Sequence, residues 1–227
     1  MNAKIDMEEI YAIQRGMQSN FTNTPLEGKI VKYLDKEFIV FPTVFHPSED
    51  SKALVQHLIR TNKFKDKKVL DLCTGSGVIA IYAAIYGAES VVALDINPEA
   101  IRATKENAQR YNVSKIIEAK VSDMYSSLDP SDRFDVITMN PPFTPHEASN
   151  YVEQTMWDNN FQVHHDFFKK LNNYLAYNEH AHITQSSFGA VNEMKEMADQ
   201  AGFNCLLVGK NYVDELRTFY AFQLSRK

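Results

Sequence analysis

From residue 69 to the end, short runs of β-branched and aliphatic residues alternate with longer stretches of helical period, which restricts the chain to strand–helix–strand units on a parallel sheet. Residues 69–73 read as a first buried strand, 78–86 as a helix, 90–96 as a second strand and 98–111 as a helix with proline at its first turn. Residues 116–121 and 134–139 give the third and fourth strands, and 163–175 the next helix. Residues 180–185 are a fifth strand, and 190–201 a helix closed by Gly202. Strands at 203–208 and 218–224 end the pattern. The segment 209–217 between them is too short for a helical crossover, so these two strands should pair antiparallel. The predicted fold is α/β: a doubly wound, Rossmann-like, seven-stranded and mostly parallel sheet with an antiparallel C-terminal hairpin.

The first third of the chain departs from this pattern. Residues 7–17 are helical, and 29–33 and 37–41 flank Leu34-Asp35-Lys36 as a β-hairpin. A helix over 49–60 leads into the sheet, with Ser48 as its cap and Glu49 and Asp50 in its first turn, where acids suit the helix dipole. No Pro/Gly-rich linker separates the two parts. Residues 1–48 are therefore expected to form a helix–hairpin extension, a lid or substrate cover, on a domain of residues 49–227. With 227 residues, 44% of them hydrophobic, the chain can bury one large core. Its net charge of −5 supplies no field for a polyanion. Cys73 and Cys205 make no disulfide framework and fit a reducing compartment. The N-terminus lacks the pattern of a signal peptide, and the longest apolar stretch, 78–88, falls well short of a membrane span. The expectation is a soluble, cytoplasmic protein that does not engage membranes.

Asp71-Leu-Cys-Thr-Gly75-Ser-Gly77-Val-Ile-Ala80 joins the first strand to the first helix, where glycines admit a close ligand and the helix N-terminus presents a positive dipole end. Gly75-x-Gly77-x-x-Ala80 satisfies a dinucleotide fingerprint. Asp95, 20 residues after Gly75 and at the end of the second strand, is placed to accept ribose hydroxyls. The competing reading is a tight turn and a helix cap. Two nucleoside cofactors suit this geometry, a nicotinamide dinucleotide and S-adenosylmethionine. The residues before the first strand and the antiparallel end pair favour the second over an NAD-dependent dehydrogenase.

Asp71-x-Cys-x-Gly75-x-Gly77, Asp95, Ser122-Asp123 after strand three and Asn140-Pro141-Pro142-Phe143 after strand four resemble class I S-adenosylmethionine-dependent methyltransferases. The nearest group is the N-methylating Asn-Pro-Pro-aromatic one, which includes HemK/PrmC-like enzymes. The resemblance covers roughly residues 38–224. It implies that Asp71, Thr74, Gly75 and Gly77 form the loop around the methionine moiety, that Asp95 holds the ribose, that Ile96 flanks adenine, and that Asp123 and Met124 contact it. It also places Asn140 beside the cofactor. The segment 44–50 resembles the stretch that closes over the cofactor in this group. Cys73 stands where many members have glycine, and Trp157-Asp158-Asn159-Asn160 where they carry a glycine-rich turn.

The chemistry of Asn-Pro-Pro-Phe follows from its residue types. Strand four delivers Asn140 to the carboxyl edge of the sheet. Two prolines remove backbone donors and favour extended geometry, so the turn presents acceptors, the Asn140 side-chain oxygen and the Pro141 carbonyl. A substrate NH2 has two donors, and two acceptors orient its lone pair toward a sulfonium methyl. Phe143 can stack on a planar group. The expected catalytic residues are Asn140, Pro141 and Phe143; Pro142 and Trp157 join them in holding substrate. The expected reaction is methylation of an amide or amine nitrogen on a small molecule or a protein side chain. A nucleic-acid base is the alternative acceptor, and a non-catalytic S-adenosylmethionine-binding scaffold the alternative role.

The aromatic-rich segment 144–168 is read as a substrate wall, with helix packing as its competitor. His164-His165 and His180-x-His182 lack further ligands, so no metal is expected. Cys73 is read as a packing residue rather than a nucleophile. The lysines of 63–68 read as a solvated loop.

Overall fold

A computed structural model describes residues 6–227. The chain runs α1 (Met7–Thr22), β1 (Lys29–Tyr33), β2 (Lys36–Val40), α2 (Lys52–Arg60), β3 (Lys68–Leu72), α3 (Val78–Ile85), β4 (Ser90–Asp95), α4 (Pro98–Arg110), β5 (Ile117–Val121) and β6 (Phe134–Met139). A short α5 (Tyr151–Gln154), α6 (Gln162–Tyr174), β7 (Leu175–Ser186), α7 (Val191–Gln200), β8 (Phe203–Tyr212) and β9 (Thr218–Arg226) follow. The seven-stranded sheet has the order β5-β4-β3-β6-β7-β9-β8. Strands β3 to β7 are parallel, and β9 runs antiparallel to both of its neighbours; β8 extends to Tyr212, so the connection to β9 is only 213–217, shorter than the expected 209–217.

The strand period of two divides each strand between two cores. Val69, Val91, Ala93, Ala119 and Val136 face one side, packed by α2, α3 and the inner face of α4. Leu70, Leu72, Leu94, Ile137, Met139 and Ile183 face the other, under Phe167 and Leu171 of α6 and Met194 of α7. Helix α3 lies against both sheet and neighbouring helices and is buried from Val78 through Ala84, which explains its unbroken apolar sequence. The β1–β2 hairpin, paired from Lys29↔Val40 to Tyr33↔Lys36, places Tyr33 and Phe38 in the same cluster as α3.

Several local expectations differ from what is observed: β7 begins at Leu175 rather than at residue 180 and β8 runs on to Tyr212 rather than ending at 208, and two differences fall in the first third of the chain. Helix α1 continues to Thr22, and its inner stripe is Ile10, Gln14, Gln18 and Phe21. Helix α2 starts at Lys52, not at residue 49, and Ser48 does not cap it. The Ser48 hydroxyl instead donates to Asp50 Oδ1 at 2.9 Å, and Asp50 Oδ2 accepts from Asn140 at 2.6 Å. Tertiary partners take these residues out of the helix that local sequence would give them.

Candidate active site

A cavity of about 400 Å³ opens at the carboxyl edge of β3, β4, β5 and β6. Five of the residues expected to hold cofactor from the first three strand ends line it directly with Thr74: Gly75, Asp95, Ile96, Asp123 and Met124. Gly75 has φ +56° and no atom within 4 Å of where a Cβ would stand, so its face is open to a ligand. Its N–H donates to Asp95 Oδ2 at 2.9 Å, and the Asn97 N–H to Oδ1 at 2.9 Å, which fixes the carboxylate and leaves each oxygen a lone pair. Burial pushes the Asp95 carboxyl above its ordinary range, and those backbone donors pull it back.

Asp71 and Gly77 lie outside the cavity lining. The Asp71 carboxylate sits beneath the loop, accepting from the Thr74 and Thr138 hydroxyls at 2.7 Å each, and burial pushes its pKa up to about 6. Gly77, at φ +81°, opens α3 where a Cβ would come within 2.9 Å of Thr104 on α4. Both residues shape the loop. Cys73 has φ +54°, the left-handed region that glycine would occupy without strain. Its thiol is pushed well up by burial and by Asp95, Asp158, Asp71 and Asp123, the opposite of an activated nucleophile. At the end of β5 the Ser122 hydroxyl donates to Met124 O at 2.8 Å and accepts from Ser127 N at 3.1 Å, holding Met124 at φ +46°.

Charge distinguishes the two nucleoside cofactors. Among the described residues the lining carries the carboxylates of Glu49, Asp50, Asp95, Asp123 and Asp158 and one cation, Arg217. Arg217 is spoken for: its Nε donates to Asp214 Oδ2 at 2.8 Å. Such a lining suits a cationic sulfonium and gives a pyrophosphate no free counter-charge. The open Gly75 face, the Asp95 lone pairs and the apolar side chains of Ile96 and Met124 fit S-adenosylmethionine in chemical type.

Asn140, Pro141, Pro142 and Phe143 all line the same cavity. The Asn140 amide is held at both ends. Its Nδ2 donates to Asp50, and its Oδ1 accepts the hydroxyl of Thr184. Asp50 and Thr184 are buried, and β7 brings Thr184 next to Asn140 because Ile183 pairs with Met139 one residue earlier. Desolvation pushes the Asp50 carboxyl up, and the bonds from Asn140 and Ser48 oppose it. With Nδ2 turned to the carboxylate, one Oδ1 lone pair is left for a ligand. The Phe143 ring packs 5.9 Å from Phe219 and 6.4 Å from Phe188.

The segment after this turn divides between cavity and core. Met156, Trp157 and Tyr151 line the cavity, while Phe161 does not, and Phe167 and Phe168 belong to the sheet core. Trp157 Nε1 donates to Gln14 Oε1 at 2.9 Å, and Gln14 Nε2 donates to Thr144 Oγ1 at 2.7 Å, which ties α1 to this segment. Asn160 and Phe161 have φ +51° and +55°, the conformation a glycine-rich turn would adopt without strain. Asp158 accepts from Val163 N at 3.0 Å and lies 2.8 Å from His164 Nδ1. Gln185 Oε1 accepts from Ser186 N, so its Nε2 is the donor to His164 Nε2 at 3.2 Å, and Nδ1 carries the proton toward Asp158. Among the described residues no cluster of three or more His, Cys, Asp or Glu gathers to hold a metal.

Sequence reasoning missed Asp50, Thr184 and Gln14. Asp50 lay in the segment matched to a cofactor cover, but its acidity was attributed to the helix dipole. Gln14 and Gln18, polar residues four apart on the inner stripe of α1, were the available signal for a polar clasp.

Comparisons with known proteins give the family and the fold. The methyltransferase small domain family model matches residues 42–206. A relative from Methanocaldococcus jannaschii bearing the name protein N5-glutamine methyltransferase is 31% identical over 194 residues, 81% of this chain and 93% of its own. A release factor glutamine methyltransferase of Koribacter versatilis is 31% identical over 135 residues, 59% of this chain; the match spans about half of that enzyme, 47%. Among solved structures, the ribosomal protein L11 methylase of Lactobacillus delbrueckii aligns with a TM-score of 0.59 at 23% identity, over 77% of each chain. A 16S rRNA methyltransferase from T. thermophilus, solved with S-adenosylmethionine and guanosine, aligns with a TM-score of 0.63 at 18% identity, over 88% of this chain and 50% of its own. These two likenesses concern the fold. No helix among the described residues is long and apolar enough to cross a membrane. The chain belongs to the methyltransferase small domain family and is a class I S-adenosylmethionine-dependent methyltransferase.

Proposed function

We propose that this protein methylates the nitrogen of a primary amide or amine, presented by a planar group at the Asn140–Phe143 turn. The observation that carries the reading is the double anchorage of Asn140 by Asp50 and Thr184, which turns one amide-oxygen lone pair to the cavity. When bound, S-adenosylmethionine supplies an electrophilic methyl group on a sulfonium. The chain's own residues bind and orient. Asp95 receives the ribose hydroxyls, Ile96 and Met124 flank adenine, Asp123 reaches its edge, and the open face of Gly75 accommodates the amino-acid portion. Asn140 Oδ1 and the Pro141 carbonyl accept the two N–H donors of the acceptor nitrogen, which aims its lone pair at the methyl carbon. Pro142 keeps the turn extended, Phe143 stacks on the group that bears the nitrogen, and Trp157 bounds its far side. Asp50 and Thr184 are positioning residues. Of the extension expected over residues 1–48, the first five lie outside the described residues; residues 6–48 act as a cover, with α1 on the acceptor side. The names of the Methanocaldococcus and Koribacter relatives, both glutamine methyltransferases, support an amide nitrogen over a ring nitrogen.

The test has two stages. Calorimetric titration with S-adenosylmethionine, S-adenosylhomocysteine and NAD should give saturable binding for the first two alone. Asn140→Ala should then keep cofactor affinity within a few fold while turnover of labelled methyl falls by about 10²-fold or more. A fully active variant would refute the acceptor role of Asn140.

A further inference from the structure

The acceptor side of the cavity, beyond Asn140, has a roof. Helix α1 contributes Ile10, Ile13 and Met17 to the lining that Phe143 and Trp157 share, and it rests directly on Trp157. This roof is built into the protein. Gln14, 5% exposed, uses both ends of its amide against Thr144 and Trp157, and Phe21 at the end of the helix packs with Met156 and Trp157. The Trp157 ring in turn lies 4.2 Å from His146. A side chain offered by a folded partner must arrive on a tether of its own backbone, for which a helix fixed on this side of the cavity leaves less room than for an untethered molecule. A free molecule needs no tether.

Charge narrows the class further. Among the described residues the lining bears five carboxylates and, as its one cation, a guanidinium already engaged by Asp214. A phosphate or carboxylate on the acceptor would enter without a counter-ion and against those acids. A neutral or cationic acceptor meets no such cost. Two aromatic walls and an aliphatic roof favour a ring-bearing body, since ring–ring contacts add to burial.

We infer that the methyl acceptor is a free small molecule, a ring-bearing amide or amine without phosphate or carboxylate, held where α1, Phe143 and Trp157 together line the cavity. This rests on the methyltransferase reading above and chooses among the acceptors it allows.

Trp157 is the sole tryptophan of the chain, so its fluorescence reports occupancy of this subsite directly. The protein, saturated with S-adenosylhomocysteine, is titrated with benzamide, benzylamine, benzoate and an acetylated, amidated glutamine pentapeptide, each to about 10 mM, the range in which fragments of this size bind. The expected result is a saturable change with benzamide or benzylamine, at least about tenfold weaker binding of the isosteric anion benzoate, and none with the peptide. Met17→Trp, read by calorimetry, should abolish binding of the ring compounds by filling the subsite while S-adenosylhomocysteine affinity holds. Peptide binding without ring-compound binding, or silence of both ring compounds, would overturn the inference and leave the methyltransferase reading standing. Failure of S-adenosylhomocysteine itself to bind would instead refute that reading.

Discussion

His182 gives the protein an acid liability that can be worked out in advance. It lies in the middle of β7 with no exposed surface, and neither ring nitrogen has a hydrogen-bond partner. Burial, then the neighbouring His57 and His180 and Lys63, lower its pKa from 6.5 to about 3. The His57 ring stands 5.9 Å away. The folded chain thus keeps His182 neutral where the unfolded chain would protonate it. The stability at stake is intact above pH 6.5 and is lost as the pH falls toward 3. At about 1.4 kcal/mol per pH unit, the loss between pH 7 and pH 5 comes to about 2 kcal/mol. Other groups act at the same time. Asp71, raised to about 6, binds its proton more readily when folded and so gains stability as the pH drops below 6. The difference between wild type and His182→Phe isolates the one residue, because an apolar ring fills the site without a charge to hide. Urea unfolding of both proteins at pH 7, 6 and 5 should show wild type losing about 2 kcal/mol relative to the variant across this range. Parallel pH profiles would refute the claim that His182 is buried neutral.

Four further outcomes follow from the site. Asp95→Ala should weaken S-adenosylmethionine by about tenfold or more in calorimetry, since it removes the ribose contact and frees the Gly75 N–H. Asp50→Ala should lower turnover by about tenfold with a smaller effect on cofactor affinity, because the Asn140 amide loses its charged anchor; equal losses in both would make Asp50 a general structural residue. Cys73→Gly relieves a strain of about 1–2 kcal/mol against a glycine entropy of about 1 kcal/mol, so urea unfolding should move by less than about 1 kcal/mol and methyl transfer should persist. Gln14→Ala should cost about 1–3 kcal/mol of α1 docking and shift Trp157 emission to the red as its ring meets water.

Legibility in the sequence followed the range of the interactions. Strands and helices from residue 69 onward were readable because apolar period and end signals such as Pro98 and Gly202 act locally. The antiparallel close of the sheet followed from the length of one connection. The same local logic failed at Ser48–Asp50, where cap and dipole signals pointed to a helix start but a side chain 90 residues away holds Asp50. Thr184 was invisible for a related reason: nothing in a strand's own sequence says which register will bring it beside Asn140. Asp71 and Gly77 carry the marks of ligand residues because a tight loop needs its underside braced and its helix start uncrowded, and these demands fall within the same motif as the binding surface. The aromatics of 144–168 were divided by α6, whose period turns Phe167 and Phe168 inward.

The face of α4 toward the glycine loop has consequences for how this chain can vary. Thr104 donates its hydroxyl to the Gly75 carbonyl at 3.1 Å, and Asn107 donates to the Ser76 carbonyl at 2.9 Å and to Ile39 O at 2.9 Å while accepting from Ile39 N. Neither residue lines the cavity, yet together they set the height of the loop and join it to the hairpin. Selection for cofactor affinity in a random library would therefore retain Thr104 and Asn107 as firmly as residues that touch the ligand. A map of tolerated substitutions would draw the outline of the binding site one layer deeper than its walls.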